Sequence, residues 1–271
     1  MNLKNKLIII TGASSGIGLA CAHECAKRGA NLVLAARQYV KICEIADSLQ
    51  SQYGIKALAV QTDVATEADC EQLIKQSIYT FGKIDVLINN AGISMRALFA
   101  SLDLDVLRKV MDINFWGTVY CTKYALPHLL HSKGTLVAVS SIAGFKGLPG
   151  RTGYSASKFA INGFLESLRI ENLKTGLNVM LACPGFTASN IRNVALNSQA
   201  QSQGETSMEE NKMMPATQVA SIIIDGIQNH KRQLIMTGQG KLTVFMQKFF
   251  PSLLDKLVYN HFKKEKDPLI C

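Results

Sequence analysis

The opening of the chain admits few folds. Leu7-Ile8-Ile9-Ile10 is a short β-branched run, Thr11-Gly12-Ala13-Ser14-Ser15-Gly16-Ile17-Gly18 follows it, and helix-forming residues continue to Arg28. An apolar run of strand length without alternation reads as a strand buried on both faces, the habit of parallel sheets covered by helices. The signal then repeats. Residues 31–36, 57–61, 84–89, 134–140, 177–182 and 232–236 read as strands, and residues 39–52, 66–81, 102–130, 154–173 and 217–229 as helices between them. Alternation at this spacing means βαβ units and an α/β fold. The expectation is a doubly wound parallel sheet of about seven strands in three αβα layers. It forms a single domain over residues 1–240, without internal repeats, and residues 241–271 are an extension.

Composition narrows the class of partner. With 48% apolar and 18% charged residues, a wholly disordered chain, a collagen-like repeat and a disulfide-stapled miniprotein are excluded. Lys plus Arg number 29 against 20 Asp plus Glu, a net charge of +9 that favours an acidic partner: a phosphorylated cofactor, a phospholipid surface or nucleic acid. The basic residues are not interleaved with aromatics in a stacking pattern, so no nucleic acid is expected. The seven cysteines are irregularly spaced and form no paired zinc-ligand pattern. Cys21 and Cys25 flank His23, which would point away from both, and read as core thiols with no metal. Met1–Lys6 shows no signal-peptide pattern, and no apolar run reaches the ~18 residues of a membrane span, so a reduced, cytoplasmic chain is expected.

Gly12, Gly16 and Gly18 allow a tight turn and a close backbone approach, while the helix that follows offers free N–H groups and a partial positive charge. A glycine loop between a first strand and a first helix is a Rossmann-type phosphate cradle, with Ser14, Ser15 and Ile17 beside the glycines. The spacing is G-x3-G-x-G. At the end of the second strand, where NAD binders place a carboxylate for the ribose, stand Ala36 and Arg37. An arginine pairs with a 2′-phosphate, so NADP(H) is favoured over NAD(H).

Asn89-Asn-Ala-Gly92, Ser141, Tyr154-Ser-Ala-Ser-Lys158 and Pro184-Gly185 follow the glycine loop in order. In this register the chain, from residue 5 to about 236, resembles the short-chain dehydrogenase/reductase family. Tyr154 and Lys158 are four apart and share a helix face. A phenol titrates near pH 10, and a neighbouring ammonium would lower it toward use as a general acid in carbonyl reduction and a base in the reverse direction. The resemblance implies more: a second task for Lys158 on the nicotinamide ribose, and Asn114 holding a water against the lysine. It also places the substrate-binding serine thirteen residues before the tyrosine, which selects Ser141 over its neighbour Ser140. Asp63 with Val64 is implied at the adenine, Asn90, Ala91 and Gly92 at the adenosine ribose, and Pro184 and Gly185 at the nicotinamide. Either Thr187 or Ser189 meets the carboxamide. Ser15 stands where many NADP-dependent relatives carry a second basic residue, and homodimers or homotetramers are expected.

Loops 93–99, 142–152 and 186–215 are expected to supply the substrate side. Met95, Phe145, Leu148 and Phe186 suggest a largely apolar carbonyl compound, with Arg96, Lys146 and Arg151 interspersed for a possible acidic group; such residues equally serve as lid packing. Polar residues 197–212 read as a lid or a solvated loop. In the tail, Ser252 is expected to cap a helix with Leu253, Leu254, Leu257, Val258 and Phe262 on one side. Six lysines against three acids over 241–271 suit an anionic membrane surface, a subunit partner or packing on its own domain. A noncatalytic dinucleotide sensor is the rival to an enzyme.

Overall fold

The computed structural model of the chain describes residues 1–188, 191–192, 194–204, 213–264 and 268–270. The repeated strand–helix signal becomes β1 (Leu7–Thr11), α1 (Gly16–Lys27), β2 (Asn31–Ala36), α2 (Tyr39–Tyr53), β3 (Ala57–Gln61), α3 (Glu67–Phe81) and β4 (Val86–Asn89). Helix α4 (Leu104–Met111), α5 (Gly117–Ser132), β5 (Thr135–Val139), α6 (Thr152–Glu171) and β6 (Asn178–Cys183) follow. The chain then forms β7 (Thr187–Ala188), β8 (Met214–Pro215), α7 (Ala216–Gln228), β9 (Gln233–Ile235), α8 (Gly238–Phe249) and α9 (Pro251–Phe262). Among the described residues seven strands make one parallel sheet in the order β3-β2-β1-β4-β5-β6-β9, and β7 pairs with β8 in a separate two-stranded ladder.

Alternation of side chains across each strand explains why the strands are apolar throughout. Ile8, Ile10, Leu32 and Leu34 pack with the buried residues of α1, α2 and α7 on one face. Leu7, Ile9, Val33 and Ala35 pack with those of α3, α5 and α6 on the other. Burying each such side chain contributes about 1.5–3 kcal/mol. The strand order reverses between β1 and β4, and a crevice opens beyond the carboxyl ends of the strands there.

One expected helix divides. Residues 102–130 form α4, a π-helical turn over Asp112–Trp116 in which the Gly117 N–H reaches back to the Asp112 carbonyl, and α5. The tail also departs from expectation. Helix α9 starts with Pro251 in its first turn and Phe250 in the capping place, so Ser252 lies inside the helix rather than capping it. Leu254 and Phe262 are buried, Leu253 faces outward, and Leu257 is half exposed at the boundary. Cys21 and Cys25 lie in the core, and burial pushes the Cys21 thiol up to about 12.

The end of the sheet remote from the crevice is held by a buried carboxylate. Asp85 Oδ1 accepts from Lys6 Nζ at 2.8 Å, while Oδ2 accepts from the Leu7 N–H at 2.9 Å and lies 3.1 Å from Lys83 Nζ. Burial alone would raise this carboxyl, but Lys6, the Leu7 N–H and Lys83 outweigh it and hold it below its ordinary value. Its contribution to stability is therefore complete above the ordinary carboxylate range and is lost as pH falls through the lower folded-state value. Asp85→Asn is expected to cost about 1–3 kcal/mol at pH 7. In urea unfolding across pH, the gap to the parent should close in acid; a gap independent of pH would show that the charge contributes nothing.

Candidate active site

A cavity of about 950 Å³ runs along the carboxyl ends of the strands, from the N-terminus of α1 to the α8–α9 hairpin. Gly12, Ser14, Ser15, Gly16 and Ile17 line its first end. The Ser15 hydroxyl makes no capping bond and the first turn of α1 holds no acid, so that turn keeps N–H donors without intrahelical partners. Gly12 has φ +65°, and a Cβ on Gly18 would stand 2.3 Å from the Gly12 carbonyl oxygen. Gly18 is thus a packing glycine beneath the loop and does not line the cavity.

The loop is tied to the end of β4. Thr11 Oγ1 accepts from the N–H groups of Asn90 and Ala91, both at 3.0 Å, and Asn90 Nδ2 donates to the Thr11 carbonyl at 2.9 Å and to that of Gly12 at 3.3 Å. The Asn90 side chain is committed to this brace. Ala91 and Gly92 continue the cavity wall, and Asp63 and Val64 stand beside them with the Asp63 carboxylate accepting from the Ala65 N–H. At the rim beyond β2 lie Arg37, Gln38 and Lys41. Lys41, in the first turn of α2, joins Arg37 at the rim without a spacing signal, because Arg37 lies before the helix.

Deeper in, Tyr154 and Lys158 project from the first turns of α6. Lys158 is 4% exposed, donates from Nζ to the Val139 carbonyl at 2.8 Å, and lies 5.6 Å from the centroid of the Tyr154 ring. Ser141 begins a 3₁₀ turn over Ile142–Gly144, accepts from the Ala143 N–H at 3.2 Å, and stands beside the Tyr154 phenol, which it lowers. Ser140 is engaged elsewhere, donating to Asn162 Oδ1 at 2.7 Å, and Asn162 Nδ2 donates to the Gly144 carbonyl at 2.9 Å. Asn162, one turn beyond Lys158, thereby clamps the Ser141 turn to the helix bearing the other two groups.

Asn114 lies in the π-helical turn, wholly buried behind the cavity wall. Its Oδ1 accepts from the Ile93 N–H at 2.8 Å, and Nδ2 donates to the Ile93 carbonyl at 3.0 Å and to Ser157 Oγ at 2.9 Å. A Cβ on Gly92 would stand 3.1 Å from Asn114 Oδ1 and 3.7 Å from Lys158 Nζ, so the missing side chain lets the two groups face one space. Burial lowers the Lys158 ammonium to about 8. The Tyr154 phenol is raised: burial, with Cys183, outweighs Ser141, Arg151 and Arg192, and Lys158 is not among the groups that lower it.

Residues 6–200 match the family model described as short chain dehydrogenase. The chain belongs to the short-chain dehydrogenase family. It is 36% identical over 264 residues to an 11-beta-hydroxysteroid dehydrogenase A of Arachis hypogaea, covering 94% of this chain and 74% of that protein. It spans 55% and 62% of two other relatives with names of the same kind. Among solved structures, a short chain dehydrogenase/reductase of Burkholderia phymatum in complex with NAD superimposes with a TM-score of 0.82 at 25% identity, covering 93% of this chain and 96% of that one. An alcohol dehydrogenase of Thermococcus sibiricus, complexed with 5-hydroxy-NADP, shares the fold with a TM-score of 0.77 at 23% identity, covering 86% of this chain and 96% of that one. A doubly wound nicotinamide-dinucleotide oxidoreductase fold follows directly.

The substrate side of the dehydrogenase differs from expectation. Leu148, Phe186, Lys146 and Arg151 line the cavity, but Met95 and Phe145 do not. Met95 is wholly buried with Leu102, Val106 and Leu196, and a bridge to Leu196 holds it there; Phe145 packs on the core under α6. Pro184, Gly185 and Thr187 line the cavity, and the Thr187 hydroxyl donates to the Gly185 carbonyl at 3.1 Å. Ser189 and residues 205–212 of the expected lid lie outside the described residues. The tail packs on its own domain and completes the wall: Leu242, Met246, Leu254, Leu257 and Phe262 all line the cavity. Lys146 pairs with Asp255 and so joins α9 to the loop after Ser141.

Two substitutions separate the serines and test the clamp. Ser141→Ala should lose far more turnover than Ser140→Ala, and the opposite ranking would show that Ser140 is the hydroxyl that matters. Asn162→Leu should lower kcat on the order of tenfold by loosening the Ser141 turn, with cofactor affinity unchanged; a kcat equal to the parent's would remove Asn162 from the site.

Proposed function

We propose that this dehydrogenase is NADP(H)-dependent and interconverts a ketone and a secondary alcohol on a largely apolar, lipid-like substrate. The observation that carries the chemistry is the meeting of Ser141, Tyr154 and Lys158 in one cavity. Burial keeps the phenol protonated at neutral pH, ready to donate its O–H proton to a carbonyl oxygen. The Ser141 hydroxyl orients that oxygen, and the Lys158 ammonium, charged below about pH 8, stabilises the phenolate left behind. Asn114, braced by Ile93 and Ser157, positions the groups behind Lys158. When bound, the nicotinamide supplies the hydride for reduction and accepts it for oxidation.

The cradle suits such a group. Gly12, Ser14, Ser15, Gly16 and Ile17 would hold the phosphates, Asp63 and Val64 the adenine, Ala91 and Gly92 the ribose, and Pro184, Gly185 and Thr187 the nicotinamide. Preference for NADP(H) rests on Arg37 and Lys41 at the rim, with Asp63 the one carboxylate among the described lining residues. The solved relatives carry an NADP derivative in one case and NAD in the other, so the rim residues are the better guide. The apolar substrate is supported by Leu148, Phe186, Leu242, Met246 and Phe262, and by relatives named for hydroxysteroids. A homo-oligomer is favoured by an exposed aromatic patch at the start of α5 and on α6, where Trp116, stacked on Tyr120, is 43% exposed and Phe159 46%.

NADPH should bind roughly 10–100-fold tighter than NADH, the worth of one or two charge-assisted hydrogen bonds. Arg37→Asp should narrow or reverse that ratio; equal affinities in the parent would sink the rim assignment. With a panel of long-chain and cyclic ketones followed by NADPH absorbance, Tyr154→Phe should lose at least ~10²-fold in turnover. Full turnover in that variant would favour a noncatalytic dinucleotide sensor. The kcat/KM for reduction should decline as pH rises through about 8, where Lys158 loses its charge.

A further inference from the structure

Helices α8 and α9 fold back on each other at Phe250, and their two sides differ in chemistry. Inward, Leu254 and Phe262 are 5% and 7% exposed and close the cavity. Outward, Phe245, Phe249, Phe250 and Leu253 are each more than half exposed, with the Phe245 and Phe249 rings 4.9 Å apart. A contiguous apolar crest of this kind is rare on a surface that meets only water.

The charges around the crest select its occupant. Lys241, Lys248, Lys256, Lys263 and Lys264 are all exposed, and the single acid between Gly238 and Lys264 is Asp255, taken by Lys146. A second copy docking the same face by two-fold symmetry would set lysine rim against lysine rim. An anionic lipid surface answers both features, with aromatic side chains entering the headgroup boundary and ammonium groups meeting the phosphates. The hairpin itself would lie on the surface, because α8 and α9 are 12 residues each and a span takes about 20.

We propose that the outer face of the α8–α9 hairpin docks on an anionic lipid membrane and opens the cavity toward it. Leu242 and Leu257 are about half exposed and also line the cavity, so the apolar crest runs on to its mouth. A lipid-dissolved ketone reaches Tyr154 along this path without crossing bulk water. The entry path rests on the apolar-substrate function proposed above; the docking does not.

Co-sedimentation of the full chain with vesicles of phosphatidylcholine alone, and with vesicles also containing phosphatidylserine, tests the docking. At least tenfold stronger binding to the anionic vesicles is expected, weakening as salt is raised. Lys248→Glu with Lys256→Glu should remove the anionic preference, at about tenfold per reversed charge or more. Phe249→Glu with Phe250→Glu should abolish sedimentation with both vesicles. None of these four residues lines the cavity, so NADPH binding should persist in every variant and report that the fold is intact. Equal sedimentation with the two vesicle types, or none, would overturn the proposal. So would a size-exclusion shift to a smaller species in the phenylalanine variant without any change in vesicle binding, which assigns the face to a second copy. Vesicle binding by a chain that binds no NADPH would instead refute the cofactor assignment and leave the docking standing.

Discussion

Everything in the cavity is referred to one small brace between the carboxyl ends of β1 and β4. Thr11 and Asn90 exchange side-chain-to-backbone hydrogen bonds across the place where the strand order reverses. A doubly wound sheet opens a crevice at such a place regardless of sequence, but the crevice alone has no defined floor. The brace supplies one. It holds Gly12 in its left-handed conformation against Ala91, sets the first turn of α1 beside the strand ends, and delivers Gly92 to the point where Asn114 and Lys158 come together. The four bonds are each worth about 1 kcal/mol, yet they replace water at a site where loose loops would otherwise have two independent sets of conformations.

Burial then divides the work between Tyr154 and Lys158. The same low-dielectric surroundings push the phenol up and the ammonium down, each toward its neutral form. An isolated buried pair would end as two uncharged groups. Here the lysine still carries its charge at neutral pH, because its shift stops near 8, while the phenol stays protonated. The result is a proton donor and a separate cation rather than a pre-formed ion pair. Charge develops on the tyrosine only as its proton leaves, which is when the lysine, already held by the Val139 carbonyl, is most useful.

How much of this was legible follows from what each signal measures. The sheet was readable because strands such as Leu7–Thr11 are buried on both faces, and burial on both faces shows in composition without any partner being known. The Tyr154–Lys158 spacing was readable because a helix places residues four apart on one face, and the same rule could have found Asn162 beyond Lys158. The π-helical turn at Asp112–Trp116 was not readable, since so short a change of winding leaves the apolar period within each flanking helix intact. Met95 and Phe145 were misplaced for a different reason. An apolar loop residue turns toward a cavity or toward the core according to long-range pairing, in this case the bridge from Met95 to Leu196, and no local pattern carries that information.

The tail shows the same limit in its sharpest form. A helix whose apolar residues fill one side must set that side against a core, a partner or another apolar surface. From residues 251–262 alone, packing and surface contact compete for the same leucines. The structure divides them: Leu254 and Phe262 go inward, Leu253 outward, and Leu257 to the boundary. Asp255, bonded to the largely buried Lys146, ties α9 to the loop after Ser141 beside the buried Leu254. The net charge of +9 divides as well. Arg37 and Lys41 sit where a phosphorylated ligand fits, the hairpin lysines ring an apolar crest, and Lys146 serves neither purpose. It pairs with Asp255, the one acid between Gly238 and Lys264, and so leaves the lysines around the crest without a competing carboxylate.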